Sequence, residues 1–519
     1  MSQPESDRRD FLKTAAAGAA VTLAASSYNR VHGANGNINI AFLGVGGRCQ
    51  QHVDVVLKMK GENKGVRPIA VCDVWDGDDK LGFDRKTNTY NGRGLYPTAK
   101  RCGISEDDKK HVTKDYRRIL DDGDVDVCCI ATPDHWHARM TIDCMNAGKH
   151  VYCEKPMTRT IEEAQAVVDA WKGSGKVMSV GVQSMADPTW TKCADFIRGG
   201  GIGKMLMGQT SYFRNSSVGQ WRYYKLTKGM NPTTIDWNMF LGHAFDVNGV
   251  KIGPGPKEVP FDRAVYGQWR CYWPFGGGMF TDLFVHQVTH LITAMGLQYP
   301  ARVVGGGGIF LEYDERDVPD VATIVADYNE GCQVLISSTM CNDHRIEEVI
   351  RGHTGTIRFV AKESNLMRGF EVIPQKLAKT STGPTGEGAK DGTQLIEGGY
   401  KGNDESLTYG LWENFLECAK AKNQGTLSTP ALGAAAFTTV AMGVKSYREG
   451  RALFWDAEQR KVKDADASWA NRWEAMSKKR AKPTHIKGWT AGDKGSLLEP
   501  EDYQKLGGAW IGGKDPAGA

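Results

Sequence analysis

Residues 38–49 read Ile38-Asn39-Ile40-Ala41-Phe42-Leu43-Gly44-Val45-Gly46-Gly47-Arg48-Cys49. A short apolar run, a glycine turn and a segment able to continue as a helix to about Met59 predict a buried strand turning sharply into a helix N-terminus. Gly44 and Gly46 permit the tight turn and a close backbone approach, and the free N–H groups at the helix start suit a pyrophosphate. Cys49 stands where a third glycine of that fingerprint would pack helix on strand, and a small side chain is tolerated there. Outward from this turn, Val66 to Cys72 reads as a second strand ending at Asp73. A polar insertion at about 77–110 and a helical Tyr116–Asp121 follow. Then come a strand (Val125–Ala131), a helix (Asp134–Ala147, stopped by Gly148), a strand (His150–Cys153), a helix (Ile161–Trp171) and a strand (Val177–Val182). Strands alternating with helices predict a doubly wound parallel sheet. A carboxylate at Asp73 suits the adenosine ribose hydroxyls and repels a 2′-phosphate, so the expected cofactor is NAD rather than NADP.

Beyond about residue 185 the period changes to two: Met205–Phe213, Ala301–Phe310, Val321–Tyr328 and Gln333–Ser338, with a turn at Gly331. This predicts an α+β region with a large, mostly antiparallel open sheet and one helix over Met279–Ala294. Residues 379–404, rich in Gly and Thr, read as a long loop, and helices resume at Leu407–Lys420 and Ala431–Tyr447. The expected division is a leader at 1–35, a nucleotide-binding Rossmann domain at 36–185, a substrate domain at 186–450 and a wrapping extension at 451–519.

The 519 residues carry 65 Lys plus Arg against 61 Asp plus Glu, a net charge of +4. That balance gives no electrostatic case for nucleic acid as a partner. Hydrophobic residues at 40% and charged residues at 24% exclude a disordered or fibrous chain. No run approaches the ~18 apolar residues of a membrane span. The string Arg8-Arg9-Asp10-Phe11-Leu12-Lys13, before the small-residue run Thr14–Ala25, resembles a twin-arginine export signal. It predicts the twin-arginine machinery as a partner and a periplasmic or secreted mature protein without a membrane anchor. Of the 12 cysteines, Cys72, Cys128, Cys129 and Cys153 lie in apolar strand-like runs, so at most one or two disulfides are expected.

Two further stretches, Ala131-Thr132-Pro133-Asp134-His135-Trp136-His137 and Ala147-Gly148-Lys149-His150-Val151-Tyr152-Cys153-Glu154-Lys155-Pro156, resemble the glucose–fructose oxidoreductase/inositol dehydrogenase (Gfo/Idh/MocA) family. The resemblance continues through Gly181-Val182-Gln183, Gly203-Lys204, Asp236-Trp237, Phe240-Leu241-Gly242, Trp269-Arg270 and Gly276-Gly277-Gly278, covering about 38–456. It implies an NAD-dependent oxidoreductase acting on a sugar, cyclitol or glycoside, and a homo-oligomer formed through the open sheet. By the same resemblance Lys155 polarises the substrate oxygen and His286 exchanges the proton. Asp282 binds a neighbouring hydroxyl or orients His286. The i, i+4 spacing of Asp282 and His286 predicts one shared helix face. Gly44, Gly46, Gly47, Arg48, Asp73, Thr132, Pro133, His137, Glu154 and Lys155 are expected to hold the cofactor. Trp269 and Arg270, with Lys155, Asp282 and His286, are expected at the substrate. His135 and Trp136 are placed near the nicotinamide edge; the roles of His243 and His290 stay open. His286 and His290 supply at most half a zinc site, so no metal is expected.

Two other activities share these residues. An NAD-dependent glycoside hydrolase would oxidise a ring hydroxyl transiently, eliminate the aglycone, add water and re-reduce, with no net redox change. A non-catalytic sugar-binding protein would keep only the scaffold. Export after folding favours a tightly held cofactor that regenerates within each cycle.

Overall fold

The computed structural model describes residues 36–84, 89–90, 92–242, 246–247, 250–251, 259–362, 366–375, 392–402, 404–479 and 514–515. The twin-arginine segment, His243, most of the 379–404 loop, Trp489 and Trp510 lie outside these residues.

The first half alternates β1 (Ile38–Leu43), α1 (Gly47–Gly61), β2 (Val66–Cys72), α2 (Leu95–Cys102), β3 (Val112–Thr113), β4 (Val127–Ile130), α3 (Asp134–Asn146), β5 (His150–Glu154), α4 (Ile161–Ser174) and β6 (Met178–Gly181). The sheet order is β3-β2-β1-β4-β5-β6, and every pairing is parallel. β1, β4 and β6 are buried along their whole length, as expected when both faces of a parallel sheet are covered. The expected polar insertion differs: it contains α2, whose Leu95, Ala99 and Cys102 are buried against the sheet. α4 starts with a capping box, Thr160 accepting from the Glu163 N–H, and ends at Gly175 in the left-handed region.

The second half adds α5 (Thr189–Arg198), β7 (Met205–Ser211), α6 (Gly278–Asp282), α7 (Phe284–Met295), β8 (Arg302–Gly308), β9 (Val321–Tyr328), β10 (Cys332–Thr339), β11 (Val349–Gly352), β12 (Gly355–Ala361), β13 (Met367–Pro374), β14 (Gln394–Glu397), α8 (Asp404–Ala421), α9 (Pro430–Glu449), β15 (Leu453–Asp456), β16 (Lys461–Lys463) and α10 (Ser468–Lys479). Ten strands form one sheet in the order β14-β13-β12-β11-β7-β10-β9-β8-β15-β16. Among the described residues only β7 and β10 pair in parallel within it. Inward and outward positions alternate in β9 and β10, which is why their period is readable. The strands β11 to β14 extend the sheet beyond the four runs read from the sequence.

The two halves share one core: β1, β4 and β6 residues cluster with Phe280, Phe284, Val288, Ile324, Ile336 and Phe437. α8 falls within residues 186–450 but packs on the opposite face of the parallel sheet. There Trp412 stacks on Tyr152 with centroids 4.5 Å apart. Of the tail, β15 and β16 prolong the large sheet. Arg460 reaches α4, with Nε donating to Gln165 Oε1 at 2.9 Å and Nη1 to Asp169 Oδ1 at 2.9 Å. All twelve cysteines are free thiols, eleven of them buried.

α9 approaches β8 through facing glycines: a Cβ on Gly305 would lie 2.2 Å from the Gly443 carbonyl oxygen. The contact is with backbone, so no side chain can yield. Gly305→Ala is expected to lower stability by about 1–3 kcal/mol, read as a fall in the denaturant midpoint. An unchanged midpoint would show that this close approach is not needed.

Candidate functional site

The chain leaves β1 through Gly44 at φ +79°, where a Cβ would fall 2.6–2.7 Å from Thr132. Gly46 faces open space and caps α1 without any side-chain bond to its first turn, leaving those N–H groups for a ligand. Gly44, Gly46, Gly47, Arg48, Asp73, Thr132 and Pro133 all line a cavity of about 410 Å³. Asp73 is buried, and its Oδ2 and Oδ1 accept the backbone N–H of Val45 at 2.7 Å and of Trp75 at 2.9 Å. Each oxygen keeps a second acceptor site, so the carboxylate can still receive ribose hydroxyls. Burial pushes this carboxyl up to about 6. Arg93, which the sequence reading passed over as part of a polar insertion, lies over the turn: a Cβ on Gly47 would meet its Nη1 at 3.0 Å. A backbone cradle that side chains would fill, an uncapped helix start and an acidic strand end together fit a dinucleotide.

A second cavity, of about 1120 Å³, adjoins the first and shares Arg48, Thr132 and Arg270 with it. Lys155, Asp282 and His286 line it together. Lys155 follows the last residue of β5, and its Nζ donates to the Asp282 carbonyl oxygen and to Asp282 Oδ1, both at 2.8 Å. Arg270 Nε donates to the same Oδ1 at 3.1 Å, and Trp221 Nε1 donates to Oδ2 at 3.1 Å. Burial alone would raise the Asp282 carboxyl, but Lys155 and then Arg270 hold it well below the usual carboxylate range. The expected continuous helix is broken: α6 ends at Asp282, Leu283 sits at φ −110°, and α7 starts at Phe284. Asp282 and His286 therefore belong to two successive helices rather than to one. They meet because both elements border the cavity, and no hydrogen bond joins them. Burial, then the Lys155 charge, depresses His286 well below the ordinary imidazole value, so the ring is neutral. No hydrogen bond from the described residues engages it.

Glu154 does not pair with Lys155. Its Oε1 receives Arg48 Nε at 2.7 Å and His52 Nε2 at 2.8 Å. Trp412 Nε1 donates to His52 Nδ1 at 2.9 Å, so Nδ1 is the acceptor and Nε2 carries the proton towards Glu154. Burial raises the Glu154 carboxyl, and Arg48 and His52 outweigh it, so the group stays ionised.

Other expected residues are placed differently. His137 does border the larger cavity, largely buried, with Nδ1 2.7 Å from the Pro156 carbonyl oxygen and Nε2 2.8 Å from that of Thr132. His135 Nε2 and Trp136 Nε1 both reach the Phe240 carbonyl oxygen, at 2.7 and 2.9 Å. His135 is thereby a core contact, while Trp136 lines the smaller cavity. Trp269 also lines the smaller cavity rather than the larger, with the Arg270 guanidinium 4.2 Å from its ring. His290 is held by Glu348 at 2.7 Å and stacked on Trp190 at 4.0 Å. A second group escaped the sequence reading: Asp134 is buried, lines the larger cavity and is pushed up to about 8 by burial, with Arg270 opposing. Its place in the Thr132-Pro133-Asp134 turn was visible, but only the packing reveals that the turn faces Lys155 and Arg270.

A model of the GFO/IDH/MocA oxidoreductase family's NAD-binding Rossmann fold matches residues 87–182, and one of the family's C-terminal domain matches 253–358. A twin-arginine translocation signal matches 5–25. A levoglucosan dehydrogenase of Pseudarthrobacter phenanthrenivorans is 38% identical over 122 residues, covering 22% of this chain and 31% of that protein. A glycosyl hydrolase family 109 protein of Shewanella pealeana is 27% identical over 253 residues, covering 44% of this chain and 52% of that protein. The chain thus spans about a third to a half of the length of these curated relatives. The WlbA dehydrogenase of Bordetella pertussis, solved with NADH and UDP-GlcNAcA, superposes with a TM-score of 0.54 at 16% identity, covering 81% of this chain and 99% of that one. That likeness is one of fold.

Asp134 gives a pH test. In the unfolded chain it ionises near ~3.9, whereas in the fold it keeps its proton to about 8. Between those values the folded state binds the extra proton, so this group's stabilising contribution, complete below ~4, is lost as pH rises towards 8. Asp134→Asn is expected to melt at a higher temperature than the wild type at pH 8, with the difference closing near pH 4. The same difference at both pH values would overturn the assignment.

Proposed function

Taking as premise that the chain carries both domains of the Gfo/Idh/MocA oxidoreductases and a twin-arginine signal, we propose an exported, NAD-dependent oxidoreductase of a secondary alcohol on a sugar, cyclitol or glycoside. The observation that carries this reading is the meeting, beside the glycine-turn cavity, of a Lys155 ammonium with a neutral, unengaged His286. Gly44, Gly46, Gly47 and Arg93 would hold the pyrophosphate, Asp73 the adenosine ribose, and Thr132, Pro133 and Glu154 with Arg48 the nicotinamide end. When bound, NAD supplies the hydride acceptor. Lys155 Nζ spends two of its three protons on Asp282, and the third is available to the reacting oxygen as its charge changes. A free ring nitrogen of His286 takes the hydroxyl proton. Asp282 fixes Lys155 and Arg270 rather than reacting. The mature protein acts in the periplasm or outside the cell.

A second reading, the redox-neutral cleavage of a glycoside, is favoured by Asp134. A protonated carboxyl on the cavity wall can pass its proton to a departing aglycone oxygen. Product analysis separates the two: a keto-sugar marks net oxidation, and a free aglycone with unoxidised sugar marks cleavage.

Lys155→Ala and His286→Ala are each expected to lower kcat by ~10²–10⁴-fold while bound NAD is retained on purification. Full activity in either variant would remove that residue from the chemistry. Because His286 is depressed, it stays a competent base below the ordinary imidazole pKa of ~6.5. The acid limb of the wild-type kcat/KM profile is therefore expected below that pH. An acid limb above it would reject His286 as the base.

A further inference from the structure

Among the described residues, six carboxylates line the larger cavity, and five of them face a basic side chain. Asp282 pairs with Lys155 and Arg270, Glu154 with Arg48 and His52, Glu348 with His290, Asp54 with Arg101, and Glu347 faces Arg358 at 3.8 Å. The sixth, Asp134, is pushed up to about 8 and is therefore neutral near pH 7.

Among the described residues, two arginines lining the same cavity form no ion pair with a carboxylate, although the Asp282 charge acts on Arg214 from a distance. Arg214 is half-buried. Its Nη2 donates to the Tyr212 hydroxyl at 2.6 Å, and its guanidinium lies 4.8 Å from that ring. With the Gln220 amide turned so that its oxygen faces Arg214, Nη1 donates there at 3.3 Å. A guanidinium has five N–H donors, so three remain. Arg345 is exposed at the cavity's edge. A two-residue antiparallel ladder pairs Arg214 with Asn342 and Asn215 with Cys341, so the segment that leads to Arg345 starts against Arg214, and both arginines line the same cavity. Among the described residues no carboxylate forms an ion pair with either arginine. Tyr212, which orients Arg214, lies with its ring centroid 6.2 Å from that of His286.

We propose that the substrate carries an oxyanion, a carboxylate or a sulfate or phosphate ester on the sugar, received by Arg214 on the cavity wall and Arg345 at its edge. The inference rests on the sugar oxidoreductase reading and narrows its substrate class. An arginine fork matches a carboxylate or ester oxyanion in two parallel hydrogen bonds, and Tyr212, between Arg214 and His286, sets the anion to one side of the reacting carbon. Neutral sugars would leave both guanidinium groups without an ionic partner.

The test uses the mature, NAD-loaded protein, with calorimetric binding and product formation measured for D-glucuronate, glucose 6-sulfate, glucose 6-phosphate and D-glucose. At least one charged sugar is expected to bind more tightly than glucose, and which one identifies carboxylate or ester. That preference should fall as salt rises. Arg214→Gln should reduce the charged-over-neutral preference roughly 100-fold, and Arg214→Lys should retain part of it. If glucose binds as tightly as every charged sugar and is oxidised, the oxyanion proposal is overturned and the oxidoreductase reading stands. A salt-independent preference also overturns the proposal, and this reading needs no variant. If no sugar binds or reacts, both fall.

Discussion

The carboxylate of Asp282 is the point on which the two halves close. Lys155 arrives from the end of a parallel strand, Arg270 and Trp221 from the second half, and all three donate to one buried group. The side chains of Lys155 and Asp282 are each 11% exposed, so neither charge is well solvated. Such a pair adds little net stability over an apolar contact, yet removing one partner strands the other and costs about 3–5 kcal/mol. Its physical effect is to fix positions: the ammonium is held with one proton to spare, and the cavity side of the halves stays in register.

A second buried carboxylate, Glu154, is compensated in the same manner, again by partners distant in sequence. Arg48 and His52 come from the helix after the glycine turn, and Trp412 sets the His52 tautomer from α8. α8 thus seals the parallel sheet and polarises the nucleotide end of the site at once. One consequence is that the strand end carrying Glu154 and Lys155 has its two charges drawn to opposite sides, Glu154 towards α1 and Lys155 towards Asp282. The same low-dielectric surroundings keep His286 neutral and Asp134 protonated, which are the states proton transfer requires.

The alternation of strand and helix through residue 182, the glycine turn and the period-two runs were legible in the sequence because each depends on local spacing and burial on one face. The stop at Gly148 was legible for the same reason. The break at Leu283 was not, since an apolar 3.6-residue pattern runs through it and only packing around Asp282 interrupts the helix. The strands β11 to β14 went unread where charged and glycine residues, such as Glu347-Glu348 and Gly352, punctuate the alternation. Trp269 and His135 illustrate a further limit: sequence position placed them near ligands, and tertiary packing assigned one to the smaller cavity and the other to the core.

By itself the sequence determined the alternation of strand and helix in the first half, the two-residue period of the second and the match to an export signal, because these follow from residue type, period and motif order; Lys155, Asp282 and His286 stood out only through the resemblance to a known family. Tertiary structure alone decided which charges neutralise one another. It gave Asp282 to Lys155, gave Glu154 to Arg48 and His52, left Arg214 with no ion pair among the described residues and turned Asp134 into the cavity. Electrostatic partnership depends on through-space distance and burial, and for pairs separated by about 100 residues or more, such as Lys155 and Asp282, no local pattern in the chain encodes either.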